Sequence, residues 1–185
     1  MSTAVTSSTI IPAGTWAIDP SHSTIGFSVK HMMIATVRGR FTEFSGALTA
    51  GDDGAVAITG LIEAGSIDTN EPQRDEHLRS VDFFDTATHS EIRFASTRVT
   101  PSRDGLTIVG DLTLKGITHE VVLDAELHGS GVDPWGNERV ALEAKGEISR
   151  KDFGLTWNQL LETGGVLVGE KIRMTLDLST VRAAD

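Results

Sequence analysis

The feature that most constrains this chain is an alternation of apolar and polar residues with period two, returning in segment after segment between glycine-centred turn signals. In Ser23–Lys30, Ile25, Phe27 and Val29 alternate with Thr24, Gly26, Ser28 and Lys30. Successive side chains leave a strand on opposite faces, so this pattern marks a strand with one face buried. It recurs in Val56–Glu63, Ile92–Ala95, Leu106–Leu114, Val121–Leu127, Val140–Ile148 and Ile172–Leu178. With Trp16–Asp19 and Val37–Leu48 added, about eight or nine strands are expected.

Asp52-Asp53-Gly54, Arg103-Asp104-Gly105, Lys115-Gly116 and Asp133-Pro134-Trp135-Gly136-Asn137 each stand between two alternating runs. Such turns join sequential antiparallel neighbours, and short strands at this frequency predict an all-β sandwich or barrel. Glycines inside the runs, at positions 26, 39, 46, 60, 110 and 146, weaken a flat sheet but serve at barrel corners or where a ligand lies against the wall. Two stretches do not alternate. Glu71–Ser80, running into Val81-Asp82-Phe83-Phe84-Asp85, reads as one or two helical turns; Arg150–Leu161, with Phe153, Leu155, Trp157, Leu160 and Leu161, is the other. Both set large apolar groups in connections, where they either plug a barrel end or form satellite core under a loop.

At 185 residues the chain fits one domain. We expect a flexible tail over 1–14, which is small and hydroxylated, and a single barrel domain over 15–181. The tail lacks the basic start and apolar stretch of an export signal, and no run of about 18 apolar residues occurs, so a cytoplasmic protein without stable membrane insertion is expected. A net charge of −10 with no basic stripe argues against nucleic acid as a partner. Cysteine is absent, which excludes disulfide scaffolds, cysteine-ligated metals and thiol catalysis.

The six histidines, at 22, 31, 77, 89, 119 and 128, show neither the His-x-His of a metal-binding strand nor the three- or four-residue spacing of a metal-binding helix. No metal and no cofactor are expected. There is no Gly-x-Ser-x-Gly elbow. The glycine-rich stretch Gly164–Lys171 carries Glu170 where a phosphate loop needs lysine. Asp82 and Asp85, a conceivable acid–base pair, are more simply solvated caps around Phe83-Phe84. No catalytic constellation stands out, so the chain is read as a binding protein, not an enzyme.

What remains is shape. A closed barrel of about eight strands has an interior that side chains fill or that holds one small ligand. The inward candidates from the first half are Ile25, Phe27, Val29, Met32, Phe41, Ile58 and Ile62. Those from the second half are Phe94, Leu112, Leu114, Leu123, Leu142, Met174 and Leu176, with Phe83, Phe84, Phe153 and Trp157 from the two irregular stretches. A wall of aliphatics and glycines with few large rings leaves an elongated apolar channel, suited to a lipid chain.

The run Trp16–Met32, followed by Gly39-Arg40-Phe41 and Phe44-Ser45-Gly46, resembles the opening of the YceI-like family, also called the polyisoprenoid-binding proteins. Ser66-Ile67-Asp68-Thr69-Asn70, Arg74–Leu78, Asp82–Asp85, Ile92-Arg93-Phe94, Gly110–Thr118 and Arg150–Gly154 continue the likeness, which spans roughly Gly14 to Leu178. The resemblance implies an extended, lipocalin-like, eight-stranded antiparallel barrel with one or two short helices in its connections. It also implies a homodimer and a long isoprenoid, quinone or fatty-acyl lipid in the lumen, with no established catalysis.

Each isoprene unit buried is worth on the order of 4 kcal/mol before the ordering cost of a flexible chain. Head-group choice then falls to polar residues at the mouth, for which the family motifs suggest Asp19, His22, Lys30, Arg150 and Asp152. Alternatively Asp19 and His22 brace the first turn while Arg150 and Asp152 fix the last connection. Three functions remain open: carriage or storage of such a lipid, catalysis on it at the mouth by a pair such as His22 and Asp19, or a ligand-free stress-response interaction module.

Overall fold

A computed structural model describes residues 11–184. Within them, eleven strands form one antiparallel sheet that closes on itself. They reduce to eight staves, each paired with the next in chain order and the last with the first. The first three staves are broken: β1 (Gly14–Ile18) with β2 (Thr24–His31), β3 (Ala35–Phe41) with β4 (Phe44–Ala50), and β5 (Val56–Glu63) with the short β6 (Ile67–Asp68). The other five are β7 (Glu91–Pro101), β8 (Gly105–Leu114), β9 (Ile117–Val132), β10 (Glu138–Ser149) and β11 (Val168–Arg182). β11 closes the ring along its whole length, pairing with β2 through Asp177 and with β1 from Thr180 to Arg182. The expected eight-stranded, lipocalin-like barrel is the fold observed.

The alternation predicts one unbroken strand over 37–48, whereas the chain bends at Thr42-Glu43. Ser66, in the matching break of the third stave, explains the bend. Its hydroxyl accepts from the amides of Thr42 and Glu43, both at 3.1 Å, so two kinks are clasped together and the staves turn as a unit. The break in the first stave is closed by Asp19, whose carboxylate caps Ser21 N at 3.0 Å. β9 carries a bulge: Ala141 faces Gly129 and Leu142 faces Leu127, leaving His128 without a cross-strand partner.

Of the predicted tail, residues 1–10 lie outside the described residues. Ile11 is buried in the core, the Trp16 indole donates to Pro12 O at 2.9 Å, and Gly14 already opens β1.

Up-and-down connectivity sends alternate connections to the same end. The β4–β5, β7–β8 and β9–β10 turns lie at one end. At the other lie the β2–β3 and β8–β9 turns, the β6–β7 connection with the helix α1 (Pro72–Arg79), and the β10–β11 connection. α1 follows the expected helical stretch and is strapped to β6: buried Asp75 accepts from Thr69 N at 2.8 Å, and Arg79 donates to Gly65 O at 2.8 Å and to Ile67 O at 3.1 Å. The second irregular stretch opens with a 3-10 turn, Arg150–Phe153, ended by Gly154 in the left-handed region. No helix among the described residues is long and apolar enough to cross a membrane.

Candidate functional site

The inner faces of the staves enclose a cavity of about 210 Å³ between two packed clusters. The lower cluster seals the end that holds the β4–β5 turn: Trp16, Leu48, Leu106, Val140 and Leu142 are all buried there. The upper cluster, beneath α1 and the 3-10 turn, contains Phe41, Ile67, Phe83, Phe153 and Leu155. The wall between them is apolar because residues of one parity on every stave face inward.

Most of the expected lumen residues stand on this wall. Ile25, Phe27, Val29, Phe41, Ile58 and Ile62 line it, as do Phe94, Leu112, Leu114, Leu123, Leu142, Met174 and Leu176, with Phe83 and Phe84 at its upper end. Three expected residues do not. Met32 lies beyond the end of β2 in the β2–β3 turn with its side chain exposed, because the strand's alternation stops at His31. Phe153 and Trp157 form a second layer behind the lining: Phe153 stacks edge-on against His119 at 5.4 Å, and Trp157 against His77 at 4.8 Å and Phe83 at 5.3 Å. Leu160 is exposed rather than plugging the end.

Several lining residues were passed over although the pattern contains them. Ile92 shares the parity of Phe94, Ile108 that of Leu112, Val121 that of Leu123, and Ile172 and Leu178 that of Met174. Leu78 and Leu155 carry no such signal, since they sit in connections.

The glycines inside the strands do more than bend the sheet. A β-carbon on Gly39 would lie 2.3 Å from Phe27 Cζ, and one on Gly110 would lie 2.5 Å from Phe94 Cζ. Each glycine is a socket for a ring from the neighbouring stave. Phe27 also leans on Phe41 at 5.7 Å, and Phe41 meets Phe84 edge-on at 6.0 Å, so rings cross the upper lumen in a chain.

Few polar residues line the cavity, and the two whose side chains are fully buried are engaged. Thr180 donates to Val140 O at 2.8 Å. Buried Arg150 donates to Gly169 O at 2.8 Å, to Leu155 O at 2.5 Å and Trp157 O at 2.9 Å, and to Val168 O at 3.3 Å. It thereby ties the last connection to the start of β11. Burial pushes the guanidinium pKa down, with the field of Glu170 opposing. Glu170 itself is bound to Ser149 Oγ at 3.0 Å and Lys151 Nζ at 3.5 Å. Arg150 is thus a buried cation at the upper end of an apolar lumen, compensated chiefly by carbonyl dipoles.

The other expected mouth residues lie elsewhere. Asp19 and His22 are on the outer wall at the break in the first stave, with His22 Nδ1 2.8 Å from Asp19 Oδ2. Arg139 bridges Asp19 at 2.9 Å to Asp133 at 2.8 Å. The Ser21 hydroxyl first, and Arg139 and His22 after it, hold Asp19 well below the usual carboxylate range; Arg139 does most for Asp133. This is the bracing alternative, and it removes the pair from the lumen because Leu178 and Thr180 take the inward parity beside Ser179, to whose carbonyl Asp19 N donates. Lys30 points outward and donates to Thr36 Oγ1 at 2.9 Å; Asp152 is exposed on the 3-10 turn.

A family model described as the YceI-like domain matches residues 16–180. Protein YceI of Escherichia coli (strain UMN026) is 41% identical over 136 residues, 72% of this chain and 71% of that protein. Among solved structures, Burkholderia cenocepacia BcnA superposes with a TM-score of 0.76 at 19% identity, covering 88% of this chain and 98% of its own. A polyisoprenoid binding domain from Saccharophagus degradans, implicated in plant cell wall breakdown, superposes with a TM-score of 0.63 at 15% identity, covering 91% and 98%. At these identities the two structures bear on the fold alone.

Proposed function

The chain belongs to the YceI-like domain family, and from that premise we propose that its lumen holds a long-chain isoprenoid or related amphiphilic lipid, as a carrier or store and without turnover. The observation that carries this reading is a lumen whose lining is predominantly apolar from Leu178 to Phe84, with its two buried polar side chains, Thr180 and Arg150, already bonded. The polyisoprenoid binding domain that shares the barrel supports the same ligand class.

A cavity of about 210 Å³ exceeds the roughly 150 Å³ that accommodates a benzene-sized guest, yet it takes only a short segment of a long chain. The remainder enters as Phe27 and Phe84, both half-buried, swing out of the upper lumen. The polar head rests at that end, where Arg150 offers the nearest positive charge to a phosphate, carboxylate or quinone oxygen. Catalysis has less support: the His22–Asp19 pair that could carry it is on the outer wall, 2.8 Å apart and bonded into the Arg139 network.

Organic extraction of the purified protein, followed by mass spectrometry and titration with an added polyprenol, tests the proposal. Recovery or uptake of about one chain per barrel is expected. Absence of both would overturn it. Sedimentation of the loaded protein then reads whether the carrier is the homodimer that the family resemblance implies.

A further inference from the structure

Large apolar side chains are unevenly exposed on this barrel. Of the nine exposed among the described residues, six lie at the α1 end: Met32, Met33 and Ile34 in the β2–β3 turn, Val81 after α1, Ile117 at the start of β9 and Leu160 in the β10–β11 connection. Met33 is 63% exposed, Ile34 81% and Leu160 82%. The β2–β3 turn is also built at a cost. Met32 and Met33 both have positive φ, 54° and 61°, and Ile34 N closes on His31 O at 3.2 Å. A two-residue turn of this kind strongly prefers asparagine and glycine, because other residues are strained there. Two methionines fit the turn poorly, so the case for them rests on what their flexible thioether side chains reach.

The lining beside this turn is only partly covered. The lower lining of the lumen is closed, with Leu48, Ile108 and Leu142 no more than 3% exposed, whereas Val29, Val168 and Ile172, next to the turn, are only half-buried. Met32 N donates to Leu167 O at 2.8 Å, so the turn and the β10–β11 connection that carries Leu160 flank the same side of the upper lumen.

We propose that the Met32-Met33-Ile34 tip, with Leu160, dips into the surface of a lipid bilayer and sets the lumen against the phase with which its lipid exchanges. This inference rests on the lipid-holding reading above. A second copy of the chain fits the tip less well, since a stable protein interface takes about 800 Å² from each partner and a three-residue tip does not offer it. The cations here form no open basic patch: Lys151 is paired with Glu170 and Lys171 with Glu147, while Lys30 donates to Thr36 Oγ1 and Lys115 to Val81 O. The partner is accordingly an uncharged, zwitterionic surface held by apolar contact, and its hold is brief.

The test uses the intact protein and phosphatidylcholine vesicles. M32N/M33G/I34T places the preferred residues at the two positive-φ positions and removes the apolar side chains of the tip, so it folds at least as well as the parent. Flotation of the lipid-free protein with vesicles is expected to fall at least fivefold in the variant. Transfer of a fluorescent polyprenol from loaded protein to vesicles is expected to slow about tenfold, with its affinity for the barrel unchanged. Equal flotation and equal transfer rates would overturn the proposal. So would a parent that sediments as a dimer beside a variant that sediments as a monomer, which would make the tip a contact between copies. If the parent takes up no polyprenol yet floats and the variant does not, the docking surface stands and the lipid-holding reading falls.

Discussion

The Phe94 ring occupies the space where a side chain on Gly110 would begin, with Cζ 2.5 Å from that position and the Ala95 carbonyl at 2.6 Å from the other side. Gly110→Ala therefore cannot be absorbed by a rotamer change. Overpacking of this kind costs about 1–3 kcal/mol, and a corresponding drop in the urea midpoint at unchanged m is expected. Gly60→Ala is the contrast, because its β-carbon would meet only Phe94 Cβ at 3.9 Å. It is expected to be neutral or to stabilise by about 0.4–1 kcal/mol. Equal losses in both variants would refute the socket.

Filling the lumen separates binding from folding. Ile58 lines the middle of the cavity and is only half-buried, so Ile58→Trp projects an indole into existing space. Uptake of polyprenol, read by tryptophan quenching or extraction, should disappear. Circular dichroism and the melting temperature should stay close to the parent's. Retained uptake would place the ligand elsewhere.

Acid stability should depend on Arg139. Asp19 and Asp133 have folded pKa values held below the ordinary carboxylate value, so the unfolded chain binds their protons first as pH falls. Their contribution is present above about pH 4, the unfolded carboxylate value, and is lost as the pH drops below it. Arg139→Gln removes the largest cause for Asp133 and the second largest for Asp19. The acid-unfolding midpoint followed by circular dichroism should move to higher pH, with stability lowered by a constant amount at neutral and alkaline pH and the difference from the parent closing as the pH falls well below 4. A midpoint that does not move would mean that the network braces nothing.

Arg150→Met leaves four carbonyls, those of Leu155, Trp157, Gly169 and Val168, without their donor. A loss of about 3 kcal/mol or more is expected, concentrated in the upper end. Hydrogen exchange should show amides of residues 154–169 opening while those of Leu106, Leu123 and Leu142 stay protected. Arg150→Lys keeps the charge but not the planar fork, so it should recover little of the order. Recovery of full protection by lysine would mean that charge, not geometry, holds the connection.

The staves were legible because burial on one face writes itself into alternate residues, and most of the lining could be read from the same parity. The kinks were not. Thr42 and Glu43 look like ordinary strand residues until Ser66, more than twenty positions later, accepts from their amides. Asp19 and Arg139 are likewise 120 residues apart, and nothing local announces their pairing. Met32 is apolar but has the opposite parity to Ile25, Phe27 and Val29 and follows the end of β2, so neither the alternation nor the strand carries it inward. The glycines were seen but their purpose was not, since which ring fills a socket is decided by a neighbour in space.

The ring is closed by β1 lying against Thr180, Val181 and Arg182. During synthesis, then, the inner faces of the first seven staves have no enclosure until β11, the last strand translated, leaves the ribosome. Pairing residues so distant in sequence is slow, and throughout that interval the future lumen is an open apolar sheet. Until that last pairing forms, the surface that later lines the lumen is exposed on one face of an unclosed sheet.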